Sequence, residues 1–165
     1  MAYLQESDYT LRIDQVTLEE ILTQASSTSG LSNTQVRQNA ETWAQAVIIS
    51  FLTSKYQIAV EFAKTAPDAT RSYLIMSCML DLAIWTLHKT VNPRDIPELR
   101  EKCYQDAMAW LDDARAVRFV LPGIGLISGY FNMQVGSGAK FVSDPFKEAR
   151  TYDTVLNSPI PPTNQ

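Results

Sequence analysis

Between Leu31 and Pro122 the chain contains no glycine, while five of its six glycines crowd between Gly123 and Gly138. Glycine costs about 1 kcal/mol relative to alanine inside a helix, so a long stretch without it is open to continuous helices. The same stretch holds all three tryptophans, Trp43, Trp85 and Trp110. Well-spaced large aromatics in a glycine-free region predict helices packed around one core. At 165 residues one such core is affordable and two are not.

The punctuation divides this region into four helices. Thr17 with Glu20 has the pattern of a capping box ahead of Leu18, Ile21 and Leu22, and predicts a short first helix that ends within Ser26–Gly30. A second helix is expected from Ser32–Thr34 to about Tyr56, with Val36, Ala40, Trp43, Ala44, Val47, Ile48 and Phe51 as its apolar stripe. A third follows Pro67-Asp68 and stops before Asn92-Pro93, because proline disfavours helical geometry in the residue before it. In the fourth, Asp95 is the expected N-cap, with Pro97 in the first turn and Glu98 closing the box. Leu99, Cys103, Ala107, Trp110, Leu111 and Ala114 then share one face to about Arg115. The expected fold is mainly α: a small four-helix bundle of one short and three long helices. Its predicted core includes Trp43, Phe51, Trp85, Cys103, Trp110 and Leu111.

After Val120 the pattern changes. Phe131, Met133 and Val135 alternate with Asn132 and Gln134, Gly136-Ser137-Gly138 offers a turn, and Lys140-Phe141-Val142 can return. The end, SPIPPTNQ, is proline-rich and reads as extended. The division expected is therefore a helical domain at 1–120 and an arm at 121–165, extended with a β-hairpin pattern. Such an arm gains little by folding alone, which makes Phe131, Met133, Val135, Phe141 and Phe146 its candidate partner-binding residues.

Charge and motif content exclude several functions. The net charge of −4 supplies no basic field for sequence-specific nucleic-acid binding. The start, MAYLQESDYT, lacks the pattern of a secretory signal. The run from Tyr73 to Val91 nearly reaches bilayer length, but Asp81 stands in its middle. A carboxylate at that depth costs roughly 3 kcal/mol, so a central bundle helix is the better reading and no membrane partner is expected. Arg71, Arg94, Arg100 and Arg115 are the candidate partners of Asp81. The single histidine, His88, lies at a helix C-terminus, where a partly positive imidazole would suit the helix dipole. Cys78 and Cys103 fall on separate helices, as reduced core thiols rather than zinc ligands or a disulfide. Glu19-Glu20 and Asp112-Asp113 are neighbours about 100° apart on their helices, so they read as solvated faces. Gly136–Lys140 lacks the spacing of a phosphate loop. The expectation is a protein without catalytic residues, cofactor or metal.

The segment Asn92-Pro93-Arg94-Asp95-Ile96-Pro97-Glu98-Leu99-Arg100-Glu101-Lys102-Cys103-Tyr104-Gln105-Asp106-Ala107-Met108-Ala109-Trp110-Leu111 resembles a helix of small phage proteins, the Mu-like prophage structural proteins. That helix reads R-x-V/I-P-E-x-x-x-x-x-Y-x-x-A-x-x-W-L. Tyr3 with Asp8-Tyr9 is similar to the family's opening, Y-x-x-x-x-D-L/Y, and Phe51-Leu52 with Lys55-Tyr56 to its Y/F-L-x-x-R/K-Y. The resemblance covers roughly residues 3 to 120. It departs at Ala116-Val117, where the family usually has a helix-ending glycine.

Such proteins are similar to the head–tail adaptors, or head-completion proteins, of tailed phages. The resemblance implies a virion protein made in the host bacterial cytoplasm and placed at the neck. It implies a homo-oligomeric ring, a dodecamer, docked on the portal protein, with a tail terminator or other neck protein beyond it and the ring lumen lining the DNA channel. Two alternatives stand beside it: a tail terminator or another neck protein, and a helical scaffold protein unrelated to virions.

Overall fold

The computed structural model describes residues 3–66, 70–116, 118 and 120–127. Six helices follow one another: α1 (Glu6–Tyr9), α2 (Gln15–Ser29), α3 (Asn33–Leu52), α4 (Ile58–Ala63), α5 (Tyr73–Val91) and α6 (Glu98–Arg115). The protein is mainly helical, and the four long helices form the expected bundle. Among the described residues there is no strand, only one antiparallel bridge between Tyr56 and Leu126. The short helices α1 and α4 went unforeseen, because four and six residues are too few for a 3.6-residue period to register.

Local chemistry explains the helix ends, in part differently from expectation. Asp14, not Thr17, caps α2: its Oδ1 accepts from the Thr17 N–H at 2.9 Å and its Oδ2 from the Thr17 hydroxyl at 2.6 Å. The helix ends within Ser26–Gly30 as expected, at Ser29. Ser27, Thr28 and Ser29 turn their hydroxyls back to the carbonyls of Thr23, Gln24 and Ala25. Gly30 then ends the helix at φ 72°, with its N–H on the Ser26 carbonyl. Ser32 caps α3 in a capping box with Gln35, so the helix starts within the expected Ser32–Thr34. On α6 the N-cap is Pro97 and Asp95 lies outside the helix, so the expected Asp95 box is absent.

The core is a seam of fully buried apolar side chains centred on α5. This helix carries eight buried residues, among them Met79, Leu80, Leu82, Ile84 and Leu87, and packs against α2, α3 and α6. By length and composition α5 could cross a membrane, yet half of its apolar window is buried inside the bundle. Its unusual hydrophobicity follows from being covered on three sides. From α3 come Val36, Ala40, Ala44, Ile48 and Leu52, a narrower stripe than expected. Val47 and Phe51 pack at its edge, and Trp43 is 37% exposed. The expectation of Trp43 as core is therefore corrected: it lies beside the buried stripe, not on it. On α6 the buried stripe is Ala107, Leu111 and Ala114. Leu99, placed on that face by periodicity, is 64% exposed.

Residues just past the expected boundary at 120 pack back on the bundle. Leu121 and Ile124 are buried. The Gln57 N–H donates to the Gly125 carbonyl at 2.7 Å, and the Ile127 N–H to Lys55 at 2.9 Å. The compact unit runs through Ile127. The expected hairpin, the turn at Gly136–Lys140, the proline-rich end and the candidate binding residues Phe131, Met133, Val135, Phe141 and Phe146 lie outside the described residues.

Candidate functional site

Two assemblies of side chains stand out on the bundle, an aromatic stack and a polar layer beneath the N-terminal segment. In the first, Trp85 of α5 lies between Tyr104 of α6 (centroids 4.1 Å apart, planes 15°) and Trp43 of α3 (5.9 Å, 28°). The Trp85 indole N–H donates to Glu101 at 2.8 Å, and the Lys89 ammonium sits 4.8 Å from its ring centroid. Trp85 and Cys103, expected in the core, are half-buried here. Three helices that share the core are thus also joined at the surface by rings. Phe51 is half-buried with the Arg115 guanidinium over its face at 5.2 Å, whereas Leu111 is fully buried.

The second assembly joins residues 3–14 to the bundle. Tyr3 donates to Glu61 of α4 at 2.6 Å, and Glu61 also takes the Lys64 ammonium at 2.6 Å. Arg71 donates to the Tyr3 carbonyl at 2.6 Å and to Asp8 at 2.8 Å. The Tyr9 hydroxyl donates to Glu41 of α3 at 3.0 Å, with Arg37 3.6 Å from the same carboxylate. Arg12 reaches α5, where it bonds Ser77 and pairs with Asp81 at 3.2 Å. The buried charged residues among those described, Asp8, Glu41 and Glu61, all belong to this layer.

Burial and pairing compete at each carboxylate. Desolvation raises Glu41 and Asp81 above the usual carboxylate range, and the nearby Arg37 and Arg12 only partly offset it. At Asp8 and Glu61 burial acts the same way but loses. Arg71 and the Gln5 N–H hold Asp8 low, while Lys64, the Ser72 N–H and the Tyr3 hydroxyl hold Glu61 low. The two phenols, buried against carboxylates, are pushed far up and stay protonated donors.

This layer corrects one expectation and was otherwise missed. Asp81 pairs with Arg12, which was not among its candidate partners, while Arg71 serves Asp8. The available signal was the density of Tyr3, Asp8, Tyr9 and Arg12 in so short a segment, together with Glu41 standing next to a strict apolar stripe. His88 also departs from expectation. It lies in the last turn of α5, but burial and the charge of Arg100 lower its pKa, and its Nε2 is buried without a hydrogen-bond partner among the described residues. It is not a charged helix cap.

A cleft of about 170 Å³ opens between α5 and α6, bordered by Leu74, Cys78, Asp81, Asp106 and Trp110. Burial pushes the Cys78 thiol up to about 12, which denies it thiolate reactivity at neutral pH. Trp110 is half-buried on the cleft wall. Glu19, Glu20 and Asp112 are exposed, and Asp113 pairs with Arg118 at 2.8 Å. Among the described residues no three His, Cys, Asp or Glu side chains are grouped to hold a metal ion.

The exposed large apolar side chains among the described residues include Leu11, Val16, Val60, Tyr73 and Val120. No curated protein and no solved structure matches the chain. The family model described as Bacteriophage Mu, Gp36 matches residues 3–124. That match runs from the first tyrosine of the polar layer to the last buried residue after α6, and the chain belongs to the bacteriophage Mu Gp36 family.

Proposed function

We propose that this phage protein is a structural component of the virion, a head–tail adaptor that assembles as a ring between the portal and the tail. The family match across the whole helical domain carries the reading. A small bundle with apolar side chains left on several outer faces supports it, since repeated heterologous contacts close a ring when the rotation between copies closes. The helical domain also suits an adaptor better than a tail terminator, which is normally built around a sheet. In this role the protein works without catalysis, metal or cofactor. The family resemblance implies twelve copies and a lumen along the DNA channel. Residues beyond Ile127, with Phe131, Met133, Val135, Phe141 and Phe146, would add contacts to portal or tail.

A particle reconstruction of the neck tests the reading: density for this fold is expected as a ring beneath the portal. Absence of the chain from purified particles, or its location away from the neck, overturns it. Truncation after Ile127 tests the arm. The shortened protein should keep its helical signal and melting temperature while heads fail to join tails; normal joining removes the arm from the mechanism.

A further inference from the structure

We propose that the exposed face of α6 is a self-association surface, on which a second copy of this chain docks antiparallel and each copy's Leu99 enters the other's cleft between α5 and α6. This does not rest on the neck assignment. A two-fold pair buries the same patch on both copies, whereas a ring joins two different patches.

Leu99, Lys102, Asp106 and Ala109 follow one another at intervals of three or four residues, so they share one face of the helix. All four are exposed. At one end this face carries a large apolar side chain, Leu99. At the other it borders the cleft of about 170 Å³, whose walls include Leu74, Cys78, Ala107 and Trp110. From Leu99 to Ala109 the helix rises about 15 Å, so a copy cannot fill its own cleft with its own Leu99. A second copy can. Centred on Tyr104 and running antiparallel, it brings its Leu99 level with Ala109, between Asp106 and Trp110 on the cleft's rim. The small side chain of Ala109 leaves room for the approach.

The charges select both the occupant and its direction. The ion pairs made by α6 are Arg115 with Asp112 and Asp113 with Arg118, which leaves Lys102 and Asp106 without one among the described residues. Lys102 and Asp106 lie at equal distances on either side of Tyr104. The same antiparallel docking therefore sets each copy's Lys102 against the other's Asp106, twice over. Parallel copies in register would oppose lysine to lysine and aspartate to aspartate, and would align the two helix dipoles. Asp81 in the cleft is no obstacle, because it already pairs with Arg12 at 3.2 Å and covering it strands no charge. A contact along one helix face is small, so the pair is weak and forms at high protein concentration. In dilute solution Leu99 stays exposed and adds little to folding.

Sedimentation equilibrium of the full chain tests this, at low ionic strength and up to about 1 mM, the weak end of specific affinities. The wild type should pass from monomer to dimer. Lys102→Glu and Asp106→Lys, both on the exposed face, should keep the helical signal. Each should weaken the dimer about ten-fold or more, because two attractive contacts become two repulsive ones. Mixed together, the two variants should recover the dimer, since every opposed pair is again of opposite sign. A wild type that stays monomeric over the whole range overturns the proposal. So does association that neither reversal weakens, or weakening that mixing does not repair, since the contact would then lie elsewhere or run the other way. Larger rings that persist in both variants would favour the neck reading and still overturn this contact.

Discussion

The seam between α3 and α5 is held by apolar packing, whereas the attachment of residues 3–14 adds a buried polar layer to its apolar anchors Tyr3, Leu4, Tyr9 and Ile13. At the seam, Ile48, Leu52, Met79, Leu82 and Ile84 are shut from solvent, with hydrogen bonding left to the helices themselves. Under the N-terminal segment, Asp8, Glu41 and Glu61 are buried with tyrosine and cationic partners. Apolar burial contributes about 1.5–3 kcal/mol for each large side chain and demands no particular partner. A buried polar pair contributes little net stability, but it demands one geometry. The seam therefore sets how stable the domain is, and the polar layer sets where the N-terminus goes.

The sharpest way to break this comparison is Leu82→Ala. At a fully buried site the truncation should cost about 2–5 kcal/mol through lost transfer energy and the cavity left behind, read as a lowered denaturant midpoint with unchanged m-value. A loss under half the low end would mean that the seam can collapse and does not dominate stability.

Next in size comes acid. Asp8 has its pKa lowered in the folded state, so its contribution is complete above the unfolded carboxylate value near 4. It is lost as pH falls through the folded value. Glu41 and Asp81, raised by burial, have the opposite sign: the folded state holds their protons more tightly, so protonation favours it between the unfolded and folded values. Asp8→Asn should cost about 1.5–3 kcal/mol at pH 7, as for a hydrogen bond to a charged group, and the gap to wild type should close as pH falls through the lowered folded pKa of Asp8. A gap that persists at low pH would show that Asp8 acts through shape rather than charge.

Smaller still, Ser32→Ala should cost about 1 kcal/mol by removing the α3 cap. Because α3 belongs to the seam, the loss should appear as one cooperative shift in urea unfolding; a separate early transition would mean that α3 frays independently. Smallest of all, Leu99→Ala on the exposed first turn of α6 should change stability by under about 0.5 kcal/mol. A cost above 1 kcal/mol would place Leu99 in a contact that the monomer does not make, and its concentration dependence would then report self-association.

What the sequence by itself determined was the helical bundle and most of its ends. Gly30 stops α2, α3 starts within Ser32–Thr34, and Asn92-Pro93 closes α5, because these signals act within one turn of chain. The apolar period of α2, with Leu18, Ile21, Leu22 and Ala25 buried, was legible for the same reason. Periodicity also proposed faces, but it has a resolution of about one residue in the helical turn. Trp43 stands one position from Ala44 and fell outside the core, and Trp85 and Trp110 are only half-buried. Only the tertiary structure decided that Asp81 takes Arg12, that Arg71 takes Asp8, and that Tyr3 and Tyr9 find Glu61 and Glu41. These partners stand 32 to 69 residues apart. An ion pair needs only charge and proximity, so many arginines satisfy the sequence equally. The fold chooses among them, because burying Asp8, Glu41 and Glu61 is tolerable only where a donor already stands within 3 Å or so.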